Sequence, residues 1–273
     1  MNTVLILDAV PPSELQTGRR LEEALLDMNA VNSPAVRLHK IRTSVDLEHA
    51  FQELLLEMAQ FDVLPWVHLE AHGSEAGFST SEHHQVSWKK LARCCEAINT
   101  RTNFQTLVIL AACKGISFVE GMSPFSDPAV GLNAPNRAPC AGLIAPSSTI
   151  GAGMLSDNFA SFYADFFTNG GLTQALDRLN KEENYAVTTA ENFFMKCYES
   201  YKRKQPKPKN HIRKLKKLAE KESVDGKTLP LKDIYQLIPK TEVKILRRAW
   251  RYYFLHNVYP ENKRRFPLPA AFT

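Results

Sequence analysis

Short apolar runs alternate with longer amphipathic stretches through the first two hundred residues. Residues 3–8 (TVLILD) are rich in branched apolar side chains, which predicts a buried strand. Pro11-Pro12-Ser13 predicts the start of a helix with Leu15, Leu21, Leu25 and Met28 on one side. Residues 35–41 alternate as a strand does. Ser44 stands where it can cap a second helix, which carries Leu47, Phe51, Leu54, Leu55 and Met58. A third strand is expected at 61–69 and a third helix at 88–98. Residues 106–111 (TLVILA) predict the most hydrophobic strand, 141–146 (AGLIAP) a fifth, and a helix follows from about Ser156 to Phe167. Strand and helix in strict alternation specify an α/β fold: a parallel-rich sheet covered by helices on both faces. In open sheets of this kind, functional residues gather beyond the carboxyl ends of the strands.

The pattern changes after about residue 180. Residues 182–201 read as a helix with Tyr185, Phe193, Phe194, Tyr198 and Tyr201 among polar positions. A charged linker with two prolines follows at 202–210. Helical candidates then lie at 212–221, 231–237 and 242–258, the last with an apolar stripe of Val243, Leu246, Trp250, Tyr253 and Phe254. Two domains are therefore expected, 1–200 and a small helical one at 201–273.

Charge sharpens that division. Residues 1–200 balance to −9 and residues 201–273 to +14. Such asymmetry points to an anionic partner for the tail, a nucleic acid or an acidic regulatory protein, or else to a basic solvated surface. The chain is 44% hydrophobic, which excludes wholesale disorder. Its longest apolar runs fall far short of the ~20 residues that cross a bilayer. The N-terminus lacks the basic region of a signal peptide. Five cysteines without regular spacing suit thiols in a reducing compartment, so a cytoplasmic protein without a membrane partner is expected.

The candidate chemistry lies where two apolar strands stop. One ends in His68-Leu69-Glu70-Ala71-His72-Gly73 and the next in Ala111-Ala112-Cys113-Lys114-Gly115, with His72 and Cys113 41 positions apart. A thiolate is the nucleophilic form of cysteine and needs a base or positive charge beside it. A histidine on the adjacent strand tip meets that need and can protonate the leaving amine. Glycine after each reactive residue permits tight turns and close approach of a substrate backbone.

This pair resembles the motif pair of the clan CD cysteine peptidases: caspases, metacaspases, separase, gingipains and the bacterial CHAT proteins. The caspase signature is Gln-Ala-Cys-X-Gly with a histidine about 50 residues upstream. Here the glutamine is absent and the spacing shorter, which argues against a true caspase with its Asp preference. Gly142 to Ser147, followed by Phe159, Phe162-Tyr163 and Phe166-Phe167, is similar to the end of a CHAT domain. The resemblance spans roughly residues 1–180. It implies a caspase-like fold, Cys113 as nucleophile, His72 as general acid and base, and an oxyanion hole from the N–H groups of Gly73 and Cys113. No cofactor and no metal are expected.

Substrate choice in such enzymes rests mainly on the P1 side chain. Glu70, Glu75, Asp127 and Asp157 are the acidic candidates for a pocket that selects Arg or Lys, or they are solvated surface acids. Lys114 can help keep the Cys113 thiolate charged, or simply face solvent. The Pro- and Gly-rich segment from Gly115 to Pro139 is expected to be a gating loop. His83-His84 and Cys94-Cys95 offer ligand types for zinc, but neighbours on one helix point about 100° apart and cannot easily share a tetrahedral site. The expected function is a regulated cysteine endopeptidase acting on a partner protein, by analogy in a bacterial stress or anti-phage pathway, with a regulator docking on the basic domain. The alternative is an inactive caspase-like module that grips nucleic acid or an acidic protein through residues 202–273.

Overall fold

A computed structural model describes residues 2–28, 33–124, 137–169, 171–180, 184–204 and 243–272. The chain divides into two compact units, residues 1–123 with 137–190, and residues 124–136 with 191–273.

The first unit is built on a six-stranded sheet. Its strands are β1 (Asn2–Asp8), β2 (Ala35–Lys40), β3 (Leu64–Glu70), β7 (Leu107–Ala111), β8 (Gly142–Pro146) and β9 (Tyr185–Thr189). They lie in the order β2-β1-β3-β7-β8-β9; the first five run parallel, and β9 is antiparallel to β8. The fold is thus α/β with a mixed, mostly parallel sheet, as the alternation of patterns requires. Residues 185–189 were expected within a helix over 182–201. They form the edge strand instead, because their β-branched Val187, Thr188 and Thr189 pair with β8, and the helix begins only at Ala190. A small antiparallel sheet, β4 (His72–Gly73), β5 (Gly77–Ser79) and β6 (Gln85–Ser87), follows β3 and has no counterpart in the sequence reading.

Alternation along the strands sorts side chains to two faces. Val4 and Ile6 of β1 join Ile109 of β7 in a core with Leu21 and Leu25 of α1 (Thr17–Leu26) and Leu155, Phe159, Phe162 and Tyr163 of α4 (Ala152–Asn169). Ala175 and Leu179 of α5 (Leu172–Asn180) extend it. α2 (Ser44–Gln60) and α3 (Trp88–Arg101) pack on each other, with Leu47, Phe51, Leu54, Leu91 and Ile98 buried. The cap of α2 is Thr43 and not Ser44. Thr43 Oγ1 accepts from the Asp46 N–H while Asp46 accepts from the Thr43 N–H, a reciprocal capping box.

Helix α1 starts later than Pro11. Residues 9–16 form a braced turn in which the Glu14 N–H and the Gln16 amide both donate to the Pro11 carbonyl. Lys40 ties Gln16 to the buried Asp8 carboxylate. Part of the expected loop after Cys113 is likewise ordered. Gly115–Glu120 is a 3-10 helix that buries Phe118 and packs on α3.

In the second unit, α6 (Ala190–Lys204) sets Phe194 edge-on to Trp250 and Tyr253 of α7 (243–253). Phe272 meets Tyr198 at 5.1 Å. Leu246, Trp250, Tyr253 and Phe254 are buried, as the apolar stripe requires. The helix expected to reach 258 stops at 253, because Leu255 turns into the left-handed region (φ 58°) and sends the chain toward α8 (Asn262–Arg265). Helices expected at 212–221 and 231–237 lie outside the described residues. Among the described residues no helix is long and apolar enough to cross a membrane.

Candidate active site at the carboxyl ends of the central strands

The register of the sheet aligns three strand ends. Asp8 of β1 pairs with Glu70 of β3, and Glu70 with Ala111 of β7. His72 therefore lies two residues beyond β3 at the level where Cys113 lies two residues beyond β7, on neighbouring strands. The order β2-β1-β3-β7-β8 reverses direction between β1 and β3, and open sheets bind their ligands at such a switch point.

Gly73 shows how close the two tips come. A β-carbon there would lie 2.1 Å from the Cys113 carbonyl oxygen and 3.0 Å from the Ala112 Cβ. Only glycine lets the backbones touch. Cys113 is partly exposed, and its thiol donates to the Ile150 carbonyl at 3.7 Å. Elsewhere burial pushes the thiols of Cys95 and Cys140 well up from their ordinary value, which leaves them inert.

Two backbone donors stand at these strand tips. In the β4–β5 ladder the Ser74 N–H donates to the Gly77 carbonyl, so the pair of Gly73 with Phe78 is a non-hydrogen-bonded one. The Gly73 N–H accordingly points away from β5. The Cys113 N–H donates to no other group among the described residues. Lys114, in the left-handed region at φ 56°, turns the chain so that the Gly115 N–H reaches the Ala112 carbonyl.

The acidic candidates separate. Glu70 is buried, with one oxygen bonded to His68 Nε2 (2.9 Å) and the other accepting from Thr17 Oγ1 (2.7 Å). Its carboxylate is committed to the interior, so the expected role in a substrate pocket is corrected. The other ring nitrogen of His68 faces the Tyr163 hydroxyl at 3.1 Å, and burial followed by the charge of Glu70 holds that hydroxyl well above its ordinary range. Glu75 is exposed in the turn between β4 and β5. Asp157 is exposed and 3.8 Å from Arg20. Asp127, with much of the expected gating segment, lies outside the described residues.

One acid was not anticipated. Glu14, in the turn after β1, places Oε2 2.6 Å from His72 Nε2. The signal for it was positional: an acid in the first loop after a parallel strand at the switch point. Among the described residues no three His, Cys, Asp or Glu side chains converge as a metal site. A small cleft between α4 and α5 brings in Arg178, whose guanidinium is held by both oxygens of Asp165. No family model matches the chain, and no curated protein matches it.

Proposed function

We propose that the chain is a cysteine endopeptidase of caspase-like, CHAT-like fold that works through Cys113 and His72. One observation supports the reading: the Gly73 backbone lies against that of Cys113 at the tips of adjacent parallel strands, and the Cys113 thiol is part-exposed there. The Cys113 sulfur attacks the scissile carbonyl carbon as its proton passes to His72. The oxyanion formed is held by the N–H groups of Gly73 and Cys113. The C–N bond then breaks, His72 protonates the departing amine, and water attacks the thioester to release the acid and restore the thiol.

The substrate is a partner protein, cut after Arg or Lys, with Glu75 the described acid free to face that side chain. The enzyme is cytoplasmic and acts in a bacterial stress or anti-phage response, restrained until a regulator engages its basic unit. The exposed Lys244, Arg248, Arg251, Lys263 and Arg264 of that unit support an anionic regulator.

A peptide library cleaved by the native chain and by Cys113→Ala tests the reading. Basic P1 residues cleaved by the native chain alone are expected. Equal cleavage by both proteins overturns it. No cleavage by either, with salt-sensitive oligonucleotide binding, transfers the function to the basic unit.

A further inference from the structure

We infer that Glu14 is the positioning residue for His72, and that its contact makes Nδ1 the ring nitrogen that exchanges the proton. The inference rests on the peptidase reading for its consequence and on geometry for its content. A carboxylate only accepts hydrogen bonds, so the Nε2 that meets Glu14 Oε2 at 2.6 Å carries a hydrogen. In the neutral ring the bare lone pair then sits on Nδ1. Strand order supplies the direction. β3 lies between β1 and β7, so the ring that follows β3 has the Glu14 turn on its β1 side and Cys113 on its β7 side. The Glu14 turn, the His72 tip and the Cys113 tip thus follow one another at the ends of three adjacent strands.

The turn that carries Glu14 is built to hold it. Its N–H donates to the Pro11 carbonyl at 3.0 Å, and Gln16 Nε2 bridges the Pro11 and Glu14 carbonyls at 2.7 and 3.0 Å. Upstream, the Val10 N–H donates to the buried Asp8 carboxylate and the Ala9 N–H to the Glu70 carbonyl. Lys40 closes the brace by joining Asp8 to Gln16. By contrast the pair itself is open to water, His72 58% and Glu14 44% exposed. Exposed pairs add little to stability. Orientation of the ring is what the contact contributes.

A double-mutant cycle on the full chain tests this with two readouts: the rate at which iodoacetamide alkylates Cys113, located by peptide mass mapping, and kcat and KM on a cleaved peptide. Glu14→Ala is expected to slow alkylation and kcat about tenfold with KM unchanged. Glu14→Gln, whose amide oxygen still accepts from Nε2, should stay near the native rate. Glu14→Ala with His72→Ala together should be no slower than His72→Ala alone, because Glu14 acts only through the ring. Native alkylation by Glu14→Ala, or additive losses in the double variant, would overturn the inference. A non-additive cycle in alkylation with no peptide cleavage at all leaves Glu14 in place and removes the peptidase reading. Cleavage with an additive cycle does the reverse.

Discussion

At Gly73 a methyl group would have to displace the Cys113 carbonyl oxygen, 2.1 Å from the position of its carbon. The obstacle is backbone, so no rotamer relieves it. Gly73→Ala should cost about 1–3 kcal/mol of stability, as overpacking does, and should slow Cys113 alkylation, because the two strand tips must part. Thermal melting and the alkylation rate check both; a native melting curve would show that the tips are free to separate. Neighbouring acids differ in the same concrete way. Glu70 is spent on His68 and Thr17, whereas Glu14 reaches the surface of the imidazole. What separates the interior strut from the carboxylate that meets His72 is which loop or strand end presents it.

Among the elements, α2 starts on a reciprocal side-chain cap. Thr43 and Asp46 satisfy one another's backbone donors at its start. Thr43→Ala should therefore lower stability by about 1 kcal/mol, read as a shift of the urea midpoint without a change of slope. Thr43→Ser should restore it. Strand β9 carries a different lesson. Its aromatic neighbours at Phe193, Phe194 and Tyr198 have helical spacing, and that spacing extended the predicted helix backward over Tyr185 to Thr189. Pairing with β8 claims those residues, and the helical spacing yields to a ladder that their β-branched side chains favour.

Across the whole molecule the two units should answer differently to acid. His256, buried in the second unit, has its pKa lowered from the ordinary value by burial, and further by the charges of Arg251 and Lys263. The unfolded chain therefore takes up that proton before the folded one does. The stabilising neutral form is fully present above about pH 6.5 and is lost as pH falls toward the lower folded value, since protonation favours the unfolded state. Trp250 is the tryptophan of this unit, and Trp66 and Trp88 belong to the other. Fluorescence-monitored unfolding of the native chain and of a Trp66→Phe, Trp88→Phe background should show the second unit weakening below that pH. His256→Gln should remove the dependence; an unchanged acid response in that variant would assign it elsewhere.

By itself the sequence determined the strands and helices whose apolar periods are long or unbroken, hence the α/β class, and it marked His72-Gly73 and Cys113 by following two buried runs with a histidine and a cysteine, each with a glycine close after. Those signals are local, and hydrophobic burial writes them along the chain. Tertiary structure alone decided which strands are neighbours, that Glu70 turns inward, that residues 185–189 become an edge strand, and that Glu14 meets His72 from 58 residues away. These are pairings between distant segments. Register and packing fix them only when the sheet closes, and no period in the chain encodes them.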